Sequence, residues 1–279
     1  MTTQNLPGSN RKENRIMLDK KTAVKGVKMF VLDMDGTFYL GDRLIEGSLE
    51  FLQKVKDTGR RFVFFTNNSS RIPSFYQKKL EKMGCFVEQR EVITSGNVTI
   101  AYLQTHYAGK KVYLVGTPLL VESFEEAGIN LVQEDPDVVV VGFDTTLTYE
   151  KLEKACTYIR NGATFLATHL DINCPTEDGF IPDCGAMCAL ITKSTGVEPR
   201  YLGKPFPETL EMVLEITGCK KDEIVFVGDR LYTDVATGVK NGAKGFLVLT
   251  GEADMKTVEE SEVKPTCIYD SLLDISRYL

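Results

Sequence analysis

Four short stretches of this 279-residue chain hold the residue types needed for chemistry on a charged ester. In Asp33-Met34-Asp35-Gly36-Thr37, two carboxylates stand two apart at the end of an apolar run. Both can face one ligand if the backbone leaves strand geometry there, and Gly36 permits such a turn. Thr66-Asn67-Asn68-Ser69 offers hydroxyls and amides able to donate to oxyanions. Gly203-Lys204-Pro205 holds a lone lysine between two conformationally special neighbours, and Gly228-Asp229-Arg230-Leu231-Tyr232-Thr233-Asp234 is a second apolar run ending in acids. Together they supply carboxylates for a hard cation, donors for phosphate oxygens, one positive charge and a spare carboxylate. These are the parts of Mg²⁺-assisted phosphoryl transfer.

Residues far apart in the chain need a scaffold that gathers strand ends. Short, almost continuously apolar runs at 29–32, 62–65, 112–115, 138–141, 164–167, 224–227 and 246–249 read as strands covered on both faces. Between them, helix-length stretches at 48–58, 73–83, 96–107, 118–127, 149–161, 185–195, 207–217 and 233–241 complete a strand–helix alternation. That alternation predicts an α/β class with doubly wound parallel sheets. Ligands of such sheets bind beyond the carboxyl ends of the strands, where Asp33, Thr66, His169 and Asp229 fall.

Composition narrows the function. With 33 Lys+Arg against 39 Asp+Glu the net charge is −6, which gives no support to a nucleic-acid or anionic-membrane partner. No apolar run approaches the roughly 18 residues of a membrane helix. Two histidines, His106 and His169, exclude any three-imidazole metal site. Seven scattered cysteines without a C-x-x-C spacing read as free thiols of a reducing, cytoplasmic compartment. Residues 1–28 carry seven Lys/Arg against Glu13 and Asp19 with no apolar segment behind them, and read as a basic, flexible tail rather than a secretory leader.

On these four stretches the chain resembles the haloacid dehalogenase superfamily, whose four motifs share this order and spacing. Within it the chain resembles the 4-nitrophenylphosphatase, NagD-like branch with a class IIA cap, over nearly all residues after 28. The resemblance implies a phosphatase of small phosphomonoesters. In it Asp33 is the nucleophile that forms an aspartyl-phosphate and Asp35 the general acid and then base. Thr66 hydrogen-bonds the phosphoryl group and Lys204 neutralises charge. Asp229 binds Mg²⁺ with the Asp33 carboxylate and the Asp35 carbonyl, with Asp234 supporting the metal from behind. Asn67 and Asn68 are expected beside the substrate. The segment 167–175 resembles the family's substrate-facing cap loops, which implies substrate contacts from His169, Asp171 and Cys174. His169 departs from a common asparagine there, and Asp183-Cys184 from a frequent glycine-rich turn.

Spacing sorts the subtypes. The 32 residues between Asp33 and Thr66 leave room for a flap and one helix, not for a helical cap of the mutase kind. The 137 residues between Thr66 and Lys204 are too many for a loop and predict a folded α/β cap inserted over 88–198, with the core at 29–87 and 199–279. Specificity is expected from that cap, and a cap-mediated homodimer accompanies the resemblance. The alternatives are a catalytically weak sensor of a metabolite phosphate, or a phosphotransferase or mutase on the same core. A P-loop is excluded because Pro205 occupies the required Ser/Thr position, and a Rossmann glycine fingerprint is absent.

Overall fold

The computed structural model describes residues 17–176 and 179–279. The chain enters through β1 (Met29–Leu32) and a flap hairpin of β2 (Tyr39–Leu40) and β3 (Arg43–Leu44), then returns through β4 (Arg61–Thr66) and β5 (Val92–Thr94). It next builds β6 (Val112–Val115), β7 (Val138–Val141) and β8 (Thr164–Ala167). A hairpin of β9 (Asn173–Thr176) and β10 (Gly179–Pro182) and a short β11 (Arg200–Tyr201) follow. It comes back through β12 (Ile224–Gly228), β13 (Lys244–Val248) and β14 (Cys267–Tyr269). Six strands form one sheet in the order β14-β13-β12-β1-β4-β5, every pairing parallel. Four more form a second parallel sheet, β11-β8-β7-β6.

The continuous apolar runs follow from two-sided burial. Phe30, Leu32, Phe62, Phe64, Phe246 and Val248 face one core cluster with Phe51 and Val55. Their neighbours Met29, Val31, Val63, Phe65 and Phe226 face another. The alternation is that of a pleated strand covered by helices on both sides. The second cluster continues through Leu210 and Leu103 to Leu120, Val138, Val140 and Leu166, so one face of the second sheet shares a core with the first.

The sheets divide the chain differently from the expected 88–198 insertion. Val92–Thr94 pairs with β4 and belongs to the first sheet, whereas Arg200–Tyr201 pairs with β8 and belongs to the second. Edge strands of two or three residues are too short to print a periodic pattern, which also hid Cys267–Tyr269, while the four-residue strands of the β9–β10 hairpin are mostly exposed and carry no buried apolar run.

The expected tail is corrected where it is described. Lys20–Ala23 forms a helical turn capped by the Asp19 side chain, and Ala23, Val24 and Val27 are buried. Lys20 pairs with Asp274, and the Leu18 N–H donates to the Thr266 carbonyl at 2.9 Å. The lysines there made the stretch look solvated, yet their apolar neighbours pack into the core. Residues 1–16 of the expected tail lie outside the described residues. Among the described residues no helix is long and apolar enough to cross a membrane.

Candidate active site

Parallel pairing brings the carboxyl ends of neighbouring strands to one edge. β12, β1 and β4 are adjacent, so Asp229, Asp33 and Thr66 become neighbours although up to 196 positions separate them. The backbone after Asp33 turns at Gly36 (φ +83°), where a Cβ would lie 2.4 Å from Asp229 Oδ2. Only glycine permits both that φ and that approach. The Asp229 carboxylate is fixed by the Glu252 N–H (2.8 Å) and the Thr37 hydroxyl (3.4 Å). Beyond it the chain makes a π-helical turn, Leu231–Val235, before the helix Ala236–Asn241 begins. A single helix over 233–241 was expected. The wider turn carries buried Asp234 beneath the strand end, against Gly228, where a Cβ would meet the Asp234 side chain at 2.3 Å.

Lys204 arrives from the other sheet, just past β11. Asn67 holds its peptide from both sides, accepting from Lys204 N (2.9 Å) and donating to its carbonyl (3.1 Å). The ammonium, 3% exposed, donates to Asp33 Oδ1 at 2.6 Å and to Asp234 Oδ1. One carboxylate oxygen from each of Asp33, Asp229 and Asp234 lies within 4.8 Å of the others. Burial, and then Asp234, push the Asp33 carboxyl up to about 7 against the pull of Lys204. Burial and Asp234 likewise push Asp229 up to about 6. Burial works against the charge on Lys204, but Asp234 and Asp33 outweigh it and its pKa is raised. Two of these three clustered carboxylates share one lysine and the third has no ammonium partner among the described residues, and this surplus of hard oxygen donors fits a divalent cation.

Asp33 and Lys204 of this cluster floor a cavity of about 760 Å³, a volume suited to a small metabolite. Asp33, Asp35, Thr66, Asn67, Asn68, Asp171, Cys174 and Lys204 all line it. Asp35 stands exposed to its mouth, and the protein packed around it pushes its carboxyl above the ordinary value while Lys79 and Arg230 oppose the rise. Asp229 and Asp234 lie behind the lining, 2% exposed each. Arg71, Phe143 and Arg230 also reach the cavity and were not anticipated. Only Arg230 had a visible signal, its place next to Asp229. Ser69 was also missed as a tie between the sheets. Its hydroxyl meets Thr168 Oγ1 at 2.9 Å and accepts from the Phe143 N–H at 2.9 Å.

The expectation that His169 faces the substrate is corrected. The ring is wholly buried and off the cavity wall. Its Nε2 meets Asp183 Oδ1 at 2.8 Å, and Nδ1 meets the Thr168 hydroxyl at 2.9 Å and the Ser95 hydroxyl at 3.3 Å. Asp183 also caps the helix Cys184–Thr195, so one carboxylate binds the ring and orders a helix start. The polar strand end that suggested a ligand is instead a satisfied buried pair.

A pH dependence of stability follows. Burial works to lower the His169 pKa, but the Asp183 carboxylate and the Cys184 thiol outweigh it, and the ring is held at about 9, with Asp171 adding in the same sense. A group raised in the folded state stabilises it fully below the unfolded value, and this is lost as pH climbs through the folded value. From about pH 6.5 to pH 9.5, wild type should therefore lose more stability than His169→Asn, the loss being reduced by Cys184, whose lowered pKa acts in the opposite sense. Urea melts at both pH values check this, and parallel losses in the two proteins would refute it.

Comparison with known proteins agrees with this geometry. A haloacid dehalogenase-like hydrolase model matches residues 30–130, and a HAD-hydrolase-like model matches residues 201–275. An acid sugar phosphatase of Staphylococcus aureus is 36% identical over 250 residues, 89% of this chain and 96% of its own length. The 5'-nucleotidase YutF of Bacillus subtilis is 36% identical over 256 residues, 92% of this chain and 100% of its own. The crystal structure of a 4-nitrophenylphosphatase from Thermotoga maritima superposes with a TM-score of 0.88 at 44% identity, covering 91% of this chain and 98% of that one. The chain belongs to the haloacid dehalogenase-like hydrolases, in their 4-nitrophenylphosphatase, NagD-like branch, and is a phosphoric monoester hydrolase.

Proposed function

We propose that this enzyme hydrolyses small phosphomonoesters through an aspartyl-phosphate on Asp33, with Mg²⁺ held by the Asp33 and Asp229 carboxylates and the Asp35 carbonyl. The observation that carries the reading is the Lys204 ammonium bridging Asp33 and Asp234 at the floor of the cavity. It holds the Asp33 carboxylate in one orientation and offsets the repulsion that a carboxylate meets on approaching a phosphate dianion. The bound cation would supply further neutralisation of the phosphoryl oxygens. Asp33 Oδ forms the bond to phosphorus as the bond to the leaving oxygen breaks. Asp35, whose carboxyl is raised and open to the cavity, gives its proton to that oxygen. It then takes a proton from the water that attacks phosphorus, releasing inorganic phosphate and freeing Asp33. Thr66, at the end of β4 and on the cavity wall, is aligned to hydrogen-bond the phosphoryl group.

Phosphate release from 4-nitrophenyl phosphate and a panel of sugar and nucleoside phosphates tests this. Turnover should fall to background in EDTA and return on adding Mg²⁺ alone. Undiminished turnover in EDTA would remove the metal from the reading, and silence on every ester would favour a sensor on the same frame. Seven free cysteines, five of them buried, support a cytoplasmic setting. The exposed Phe180 and Ile181 on β10 support a homodimer through the cap, which light scattering would check.

A further inference from the structure

Resting on the phosphatase reading above, we propose that the leaving group of the substrate carries a second anionic group, a phosphate or carboxylate, met by a wall of cations on the helix Pro73–Lys82. Phe75, Lys78, Lys79 and Lys82 recur at i, i+3, i+4 and i+7, one face of that helix. All four line the cavity, as does Arg71 just before the helix begins. Lys79 is anchored over the Tyr39 ring at 4.3 Å and lies 3.7 Å from the open carboxylate of Asp42. Arg71 lies over the Phe75 ring at 5.1 Å. Among the described residues Arg71, Lys78 and Lys82 have no carboxylate within ion-pair distance, so their charge is open to a ligand.

The sign of this wall runs against the rest of the molecule. The chain is acidic, at −6, yet residues 71–82 hold four basic side chains against Glu81, which is not part of the cavity wall. The transferred phosphoryl group has its counter-charge at the floor, in Lys204 and the cation its carboxylates fit. The cations on the helix are surplus to that task. Grouped beside one concave, partly apolar cavity, they attract and orient a second negative charge on the same molecule. The discrimination expected from the cap is thus shared by a helix of the core.

Two matched pairs of esters test this: fructose 6-phosphate with fructose 1,6-bisphosphate, and glycerol 3-phosphate with 3-phosphoglycerate. At low salt the more anionic member of each pair should have the higher kcat/KM by about tenfold, with the ratio shrinking as salt is raised. In the double variant Lys78→Glu/Lys82→Glu, which changes two exposed side chains, the ratio should fall to one or below. A ratio near one in wild type, or one that survives the double variant, overturns the inference. If that happens while 4-nitrophenyl phosphate is still hydrolysed and Asp33→Asn is inactive, the phosphatase reading stands without it. Absence of turnover on every ester sinks both.

Discussion

Asp33→Asn is expected to lower phosphate release by about 10⁴-fold or more, on every ester, in a protein that remains folded. Asparagine has the same shape and still accepts a hydrogen bond from the Lys204 ammonium, which lies 2.6 Å from Asp33 Oδ1. What it lacks is the charged oxygen that attacks phosphorus. Stability should hold or rise, because burial and the neighbouring Asp234 and Asp229 already disfavour the charge on Asp33. A thermal melt paired with the turnover assay separates the two effects. Activity within about tenfold of wild type, with contaminating phosphatase excluded, would falsify the nucleophile assignment.

Lys204→Met should be damaging on both counts. The ammonium is the only cation in hydrogen-bond contact with Asp33 and Asp234 among the described residues. Removing it leaves two buried carboxylates facing each other and a third close by. Breaking a buried pair from one side costs about 3–5 kcal/mol, because the remaining charges have no compensation. Turnover should fall by about 10³-fold or more, since the field opposing the phosphate dianion is no longer offset. Adding Asp234→Asn to Lys204→Met should recover much of the stability and none of the activity. If the double variant regained turnover, Lys204 would be a structural counter-ion only. Lys204→Arg is not expected to rescue, because a planar guanidinium does not fit a 3% exposed slot shaped by two carboxylates and the Asn67 clamp.

The parts of the site legible in the sequence are those carried by residue type and order. Asp33, Asp35, Thr66, Lys204 and Asp229 each stand at or just past the end of an apolar run, or beside glycine and proline. The parallel sheet brings Asp33, Thr66 and Asp229 to one edge, and Lys204 joins them from the second sheet. The cap residues were harder. Asp171, Cys174 and His169 lie within six positions across a loop and the start of β9, yet the first two line the cavity and the third is sealed behind it. Loop side chains have no periodicity, so direction cannot be read from spacing. Partner choice depended on Asp183, which lies 14 residues away in sequence and 2.8 Å away in space. The cation wall shows the same limit: lysines at 78, 79 and 82 share a helix face by spacing, but only the fold sets that face against the cavity.

The sequence by itself determined the class of fold, the order of the four chemical stretches and the family they mark, because these rest on local pattern and residue chemistry. It also determined that a folded insertion separates Thr66 from Lys204. Only the tertiary structure decided which carboxylates share the lysine, that Asn67 clamps its peptide, that His169 is a buried strut and that Ala23, Val24 and Val27, ahead of β1, are part of the core. Each of these is a contact between segments distant in the chain. Such contacts are chosen by packing and by the requirement that buried polar groups find partners, which no local pattern encodes.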